Sequence, residues 1–168
     1  MPRDTVPRVF RSILCPADFS RNSRAALRYA AMLARLSDAH LIVLYVNDPL
    51  LATAAATRPD AEAIMVSTDN DLRRFVAGAL RHATPSVSTT LLTIAGKPSR
   101  EIVKAAERHD CDLIVMGYRG VGRASRLLFG STTEGVVRTT TVPVLAIPPA
   151  RRAARLPAAD RARLRRAS

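Results

Sequence analysis

The chain has few aromatic side chains. They make up 4% of its 168 residues, and none is a tryptophan. A surface that binds single-stranded nucleic acid needs aromatic rings on which the bases stack, so the composition argues against such a surface. Hydrophobic residues nevertheless reach 48%. We therefore expect an aliphatic, alanine-rich core of the kind formed when helices pack on a Val/Ile/Leu sheet.

Cysteine and histidine are scarce as well. The two cysteines, Cys15 and Cys111, are too few for a disulfide framework. They fall at opposite ends of two predicted parallel strands, which is too far apart for a bond, and we expect buried, inert thiols. The three histidines (His40, His82 and His109) lack metal-ligand spacing and are expected at the surface.

Long hydrophobic runs are absent too. The first twelve residues contain no apolar segment typical of a secretory signal. No run approaches the roughly 18 apolar residues that a membrane helix needs. We expect a cytoplasmic protein without a membrane span.

Acidic residues are fewer than basic ones, and the excess of basic residues gives a formal net charge of +12. Half of this excess lies in residues 151–168, which hold seven arginines and a single acidic residue, Asp160. We predict one folded domain over residues 1–150 and a basic, disordered, solvated tail over 151–168, interrupted by Pro157. Nonspecific electrostatic binding by the tail is the alternative, and it would weaken steeply with salt.

Strand-like and helix-like segments alternate along the domain. The apolar segments predict strands over residues 9–15, 39–46, 88–93, 113–116 and 144–147. Residues 47–60 are predicted to be a long connection. Strands that alternate with helices are typical of a parallel, doubly wound α/β sheet, and we predict five strands in the order 3-2-1-4-5 with helices on both faces.

The ends of several elements can be predicted from single residues. Pro16 is expected to end the first strand, and Ser20 to cap the first helix, whose inner face is periodic in leucine and alanine. Near the other end of the chain, Ser131 and Glu134 have the spacing of a capping box. Ser131 is therefore predicted to be the N-cap of the last helix.

The glycine-rich segment 117–131 is the strongest functional signal. It follows the apolar strand 113–116 and precedes a helix. Glycines bring backbone N–H groups close to an anion, and the helix N-terminus adds further N–H groups. Ligands of such sheets bind where the strand order reverses, which here would place Asp18 opposite Gly117 and Gly120.

The spacing of these residues matches a known signature. Gly117, Gly120, Gly130 and Ser131 form G-x2-G-x9-G-[ST], and the sequence resembles the universal stress protein family over roughly residues 8–148. Further matches in chain order are residues 15–20, 44–46, 96–98 and 142–145. The resemblance implies a Rossmann-like fold of the adenine nucleotide alpha hydrolase type. It also implies ATP binding, because all three signature glycines are present. Mg²⁺ would then be a companion of the phosphates.

The resemblance also assigns roles to individual residues. Asp18 would contact adenine or ribose, Pro16 and Val46 would line the adenine slot, and Met116 and Gly117 would lie by the ribose. The phosphates would be held by Gly120, Gly130, Ser131 and Thr132. The family further implies a homodimer paired through strand 5, Val144–Ile147.

The residues point to no catalytic constellation. There is no G-x-S-x-G nucleophile elbow and no P-loop. Three hypotheses stay open. The first is an ATP-binding regulatory homodimer of the stress response, with a protein partner that the sequence does not identify. The second is a nucleotide-free dimeric scaffold. The third is an enzyme, either a slow ATPase or a relative acting on another substrate.

Overall fold

Strands and helices alternate in the computed structural model, which describes residues 9–47, 61–81, 87–118 and 130–148, with the backbone alone for 61–67. Gly120, most of the predicted connection 47–60 and the basic tail lie outside these residues. The elements are β1 Ser12–Ala17, α1 Arg21–Ser37, β2 His40–Asn47, α2 Ala61–Leu80, β3 Thr89–Ala95, α3 Pro98–Arg108, β4 Leu113–Gly117, α4 Ser131–Thr139 and β5 Val144–Ile147.

The five strands form one parallel sheet in the order β3-β2-β1-β4-β5. This confirms the predicted fold. β1 lies at the centre, between β2 and β4, so the strand order reverses there. Each face of the sheet carries its own buried apolar cluster, with Leu27 and Phe75 in one and Ile102 and Val136 in the other.

The two cysteines belong to these opposite clusters, Cys15 to the first and Cys111 to the second. Both are buried free thiols, which confirms that part of the prediction. Burial raises the pKa of Cys15 to about 12. Its thiol is therefore protonated and unreactive at neutral pH.

Helix α1 forms where the sequence predicts it. The side-chain oxygen of Ser20 accepts a hydrogen bond from the Ser23 N–H at 3.1 Å, which confirms Ser20 as the N-cap. Leu27 and Ala30 are fully buried on the inner face. Asp38 ends the helix in the left-handed conformation, at φ 52°.

Pro16 does not end β1, so that prediction is wrong. The strand continues to Ala17, and Pro16 pairs with Leu44 of β2. On the other side, β1 pairs with β4 only at Ile13 and Leu14. Backbone groups alternate in direction along a strand, and the Ser12 carbonyl accepts from Asp112 N on the β4 side. Pro16, four residues on, therefore points its nitrogen toward β4, where pairing has ended and no N–H is needed.

Other strand boundaries differ from the predicted ones by a few residues. β1 begins at Ser12 rather than at residue 9, β3 extends to Ala95, and Asn47 belongs to β2. Within the part of the chain described here, no helix has the length and apolar character needed to cross a bilayer.

Asp112 joins the starts of β1 and β4 at the amino edge of the sheet. Its Oδ2 atom accepts hydrogen bonds from the backbone N–H groups of Arg11, at 2.5 Å, and Ser12, at 2.9 Å. Desolvation alone would raise the pKa of Asp112. The two N–H donors and the Arg11 charge outweigh it, and the pKa lies below its usual 3.8.

We predict that Asp112→Asn lowers the free energy of unfolding by about 1 kcal/mol at pH 7, because a charge-assisted acceptor is lost. A carboxyl group whose pKa is lower in the folded state stabilises the protein at pH values above its unfolded-state pKa. This contribution disappears as the pH falls through the folded-state pKa. The difference between variant and wild type should therefore shrink below about pH 4. Urea unfolding across pH measures it.

Asp71→Asn is the matched control for this experiment. Asp71 pairs with Arg74 one turn along α2, and both side chains are largely exposed. Such a pair contributes little, so the control should stay within about 0.5 kcal/mol of wild type. An Asp112→Asn effect that is equally large at pH 3 would contradict the assigned role.

Candidate functional site

A cleft opens at the carboxyl edge of the sheet, where β1 and β4 part after Leu14. It encloses about 570 Å³, its open mouth included. Parallel sheets place their ligands at such a position. The lining residues come from three strand ends and three helices: Pro16, Ala17, Asp18, Ser23, Leu44, Val46, Pro98, Ile102, Met116, Gly117, Thr132 and Thr133.

The cleft has an apolar side and a polar side. Leu44, Val46, Ile102 and Met116 supply aliphatic surface from β2, α3 and β4. Carboxylate and hydroxyl groups of Asp18, Ser23, Thr132 and Thr133 supply the polar groups. A flat apolar ligand group that carries a polar extension suits this division.

The turn after β1 fixes the position of Asp18. The Asp18 Oδ1 atom accepts a hydrogen bond from the Ser20 N–H at 3.0 Å. The backbone N–H of Asp18 donates to the Ser23 Oγ atom at an N–O distance of 3.4 Å. Phe19 adopts a left-handed backbone at φ 60°, which is uncommon for a residue other than glycine. Its ring stacks on Tyr45 with centroids 4.6 Å apart, and this contact holds the turn from the opposite side.

The N-terminus of α4 forms another part of the rim. Its N-cap is Gly130, in an extended conformation, and Ser131 is the first helical residue. The prediction of Ser131 as the N-cap of a capping box is therefore wrong. Glu134 instead lies 3.6 Å from Arg138, one turn further along the helix. Because glycine has no side chain to cap the first N–H groups, this helix end can accept an anionic ligand group.

Two close backbone approaches shape the cleft. At Gly117, an added Cβ would lie 3.1 Å from Asn22 atoms in the first turn of α1. At Gly135, it would lie 2.7 Å from the Ser99 Cβ, where α4 crosses α3. Glycine at both positions lets α1 and α4 pack close to the cleft.

Six of the nine predicted site residues line this cleft: Pro16, Asp18, Val46, Met116, Gly117 and Thr132. Gly130 lies at the rim as the N-cap, while Ser131 is exposed on the first turn of α4. Gly120 lies outside the described residues. Whether any of them contacts a ligand stays a prediction.

The sequence analysis missed six further lining residues: Ala17, Ser23, Leu44, Pro98, Ile102 and Thr133. Ile102 has the signal of an ordinary core residue. Ala17, Leu44 and Pro98 could have been named, because they belong to the matches at residues 15–20, 44–46 and 96–98. Among the residues that the structure describes, no group of three or more His, Cys, Asp or Glu side chains could hold a metal ion.

A parallel sheet in this order, with a cleft at the reversal point, defines a doubly wound, Rossmann-like α/β protein. The family model described as the Universal stress protein family matches residues 10–148. The chain belongs to the universal stress protein family.

Several known proteins are similar to it. Universal stress protein MJ0577 of Methanocaldococcus jannaschii is 27% identical over 158 residues, covering 83% of this chain and 95% of the relative. A solved structure of a protein called MJ0577 has a TM-score of 0.68 at 25% identity, covering 82% of this chain and 95% of that one. The universal stress protein UspA from Lactobacillus plantarum has a TM-score of 0.66 at 28% identity, covering 82% and 97%.

Two more distant structures share the fold. One is a universal stress protein in complex with cAMP, with a TM-score of 0.61 at 21% identity, covering 83% of this chain and 98% of that one. The other is the universal stress protein from Archaeoglobus fulgidus in complex with dAMP, with a TM-score of 0.60 at 20% identity and the same coverage.

We predict that Gly135→Ala destabilises the protein by about 1 kcal/mol. The gain in helix propensity is smaller than the cost of overpacking α4 against Ser99. Gly78→Ala in α2 is the matched control, because its new Cβ would meet only the flexible end of Arg24, at 3.3 Å. The control should be neutral or stabilising. Urea unfolding measures both, and equal effects of the two substitutions would contradict the close crossing.

Proposed function

We propose that the chain is an adenine-nucleotide-binding regulatory protein of the stress response, with ATP as its ligand. The observation that carries this proposal is the cleft at the strand-order reversal. It combines an aliphatic slot, a carboxylate and an uncapped helix N-terminus. Each of these three features suits a different part of a nucleotide.

The base fits the aliphatic side of the cleft. Val46, Ile102 and Met116 lie there together with Pro16, and apolar side chains of this kind favour a flat, poorly solvated ring. Asp18 lies beside them with Oδ1 oriented by the Ser20 N–H. A carboxylate only accepts hydrogen bonds, so it suits the ribose hydroxyls or the amino group of adenine.

The phosphates fit the opposite rim. The first turn of α4 carries Ser131 and Thr132, and its helix dipole favours negative charge. Gly120 would bring a further N–H group to the same anion. Gly130, whose own N–H donates to the Tyr118 carbonyl, would let the anion approach closely because it has no side chain. Mg²⁺ would bind mainly through the phosphates, since it retains much of its water and takes few protein ligands.

The comparisons support the choice of an adenine nucleotide, but they are not the main argument for it. The complexes with cAMP and dAMP both contain an adenine base, in proteins of the same fold. The proposal rests on this chain's own cleft.

Asp18→Asn is expected to weaken ATP binding about tenfold, because a charged acceptor becomes neutral. Asn can still accept from the Ser20 N–H, so the turn should keep its shape. Asp38→Asn, at the far end of α1, is the matched control and should bind as wild type does. Isothermal titration of the full chain with ATP and Mg²⁺ measures the affinities. No binding by wild type below millimolar ATP would favour the nucleotide-free scaffold.

We further propose a homodimer paired through β5, Val144–Ile147. β5 is an edge strand of the sheet, and an unpaired edge readily accepts another strand. Leu145 is 39% exposed and shares a face of the sheet with Ile147, which packs in the cluster that includes α1 residues. On α1, the side chains of Tyr29, Met32 and Leu36 are also exposed, at spacings of three and four residues.

Leu145→Glu is expected to convert this dimer to a monomer, because a charge would be buried without a partner. Val137→Glu is the matched control, since Val137 is similarly exposed but lies on α4. Sedimentation velocity measures the oligomeric state. A monomeric wild type, or a dimer that survives Leu145→Glu, would contradict pairing through β5.

Under this proposal, nucleotide state would change the surface around the cleft and thereby the choice of a protein partner. Residues 1–150 would form the nucleotide-binding domain, with 151–168 as a basic tail. Titrating the chain with and without ATP against candidate partners would test this regulatory part.

A further inference from the structure

The end of β4 and the start of α4 are joined by two hydrogen bonds, although thirteen residues separate the elements along the chain. The Thr133 hydroxyl donates to the Gly117 carbonyl at 3.0 Å, and the Gly130 N–H donates to the Tyr118 carbonyl at 3.1 Å. Thr133 is 2% exposed. The first bond thus links a strand to a helix through the side chain of a buried threonine.

The position of Thr133 in the helix explains this link. A threonine further inside a helix can donate to the carbonyl four residues earlier, as Thr139 does to Gly135 at 2.8 Å. Thr133 is the third residue of α4, so no helical carbonyl lies four residues before it. Its hydroxyl donates across to β4 instead.

The two linked elements face different parts of the proposed ligand. Gly117 ends the strand that lies beside the nucleoside slot, whereas the first turn of α4 is the proposed phosphate site. The Thr133 bond therefore sets the distance between the two subsites. Gly135 allows α4 to pack against Ser99, but it lies one turn further from the phosphates.

We propose that Thr133 is a positioning residue for phosphate binding. It holds the N-terminus of α4 against β4, so that the first-turn N–H groups meet the phosphates of a nucleotide already seated in the slot. This inference rests on the proposed function. It adds that the contribution of Thr133 depends on the phosphates and not on the base.

The test compares ATP with adenosine on the full chain by isothermal titration. Thr133→Val keeps the shape of the side chain and removes the donor, so ATP affinity should fall about tenfold. Adenosine affinity should change less than twofold. Thr133→Ser keeps the hydroxyl and should bind both ligands within twofold of wild type. Thr139→Val, which removes a hydrogen bond within α4 only, is the matched control and should leave both affinities unchanged.

Each other outcome overturns the inference. Equal losses for ATP and adenosine would mean that Thr133 merely supports the whole cleft, and no loss would mean that the bond does not position α4. If the wild type binds ATP and adenosine with equal affinity, the phosphates contribute nothing to binding, and Thr133 has no phosphate site to position. Wild type that binds neither ligand would instead refute the proposed function itself. If circular dichroism shows that Thr133→Val does not fold, Thr133→Cys, with its weak S–H donor, is compared by the same criteria.

Discussion

The cleft depends on one feature of backbone pairing, the early end of the ladder between β1 and β4. These strands pair at Ile13 and Leu14, while β1 continues beside β2 as far as Ala17. The sheet therefore stays continuous at its amino edge, where Asp112 joins the two strands, and separates at its carboxyl edge. Pro16 suits this separation, because it lacks an N–H on the side where no partner remains. The cleft-lining residues that the structure describes lie around the resulting gap.

Three packing contacts bring the polar groups to that gap. Phe19 stacks on Tyr45 and stabilises the turn that carries Asp18. Gly117 lets the first turn of α1 approach β4, and Gly135 lets α4 approach α3. The rim of the cleft is thus built from elements that are far apart in sequence but packed closely at one edge of the sheet. Such packing fixes the distance between an apolar slot and a helix N-terminus, which a ligand with a base and phosphates requires.

Much of this architecture could be predicted from the sequence, and the exceptions have physical causes. Apolar strand segments that alternate with helix-like segments predicted the sheet, and Ser20 was correctly predicted as a cap from local chemistry. Pro16 was wrongly predicted to end β1, because the cost of a proline in a strand depends on the neighbour its nitrogen faces. Ser131 was wrongly predicted as an N-cap, because Gly130 directly before it is itself compatible with that position. The Ser99–Gly135 contact joins residues with no local signal, and Ile102 cannot be distinguished from a core residue until the cleft is seen.

The central claim is that the gap between β1 and β4 holds an adenine nucleotide, with the base by β2 and the phosphates by α4. Amide chemical shifts of the ¹⁵N-labelled full chain, recorded during a titration with ATP and Mg²⁺, test it most directly. The account predicts saturable shifts that are largest at Asp18, Gly117 and Thr132, on both sides of the gap. Saturable shifts confined to other surfaces, or no shifts at millimolar ATP, would contradict it.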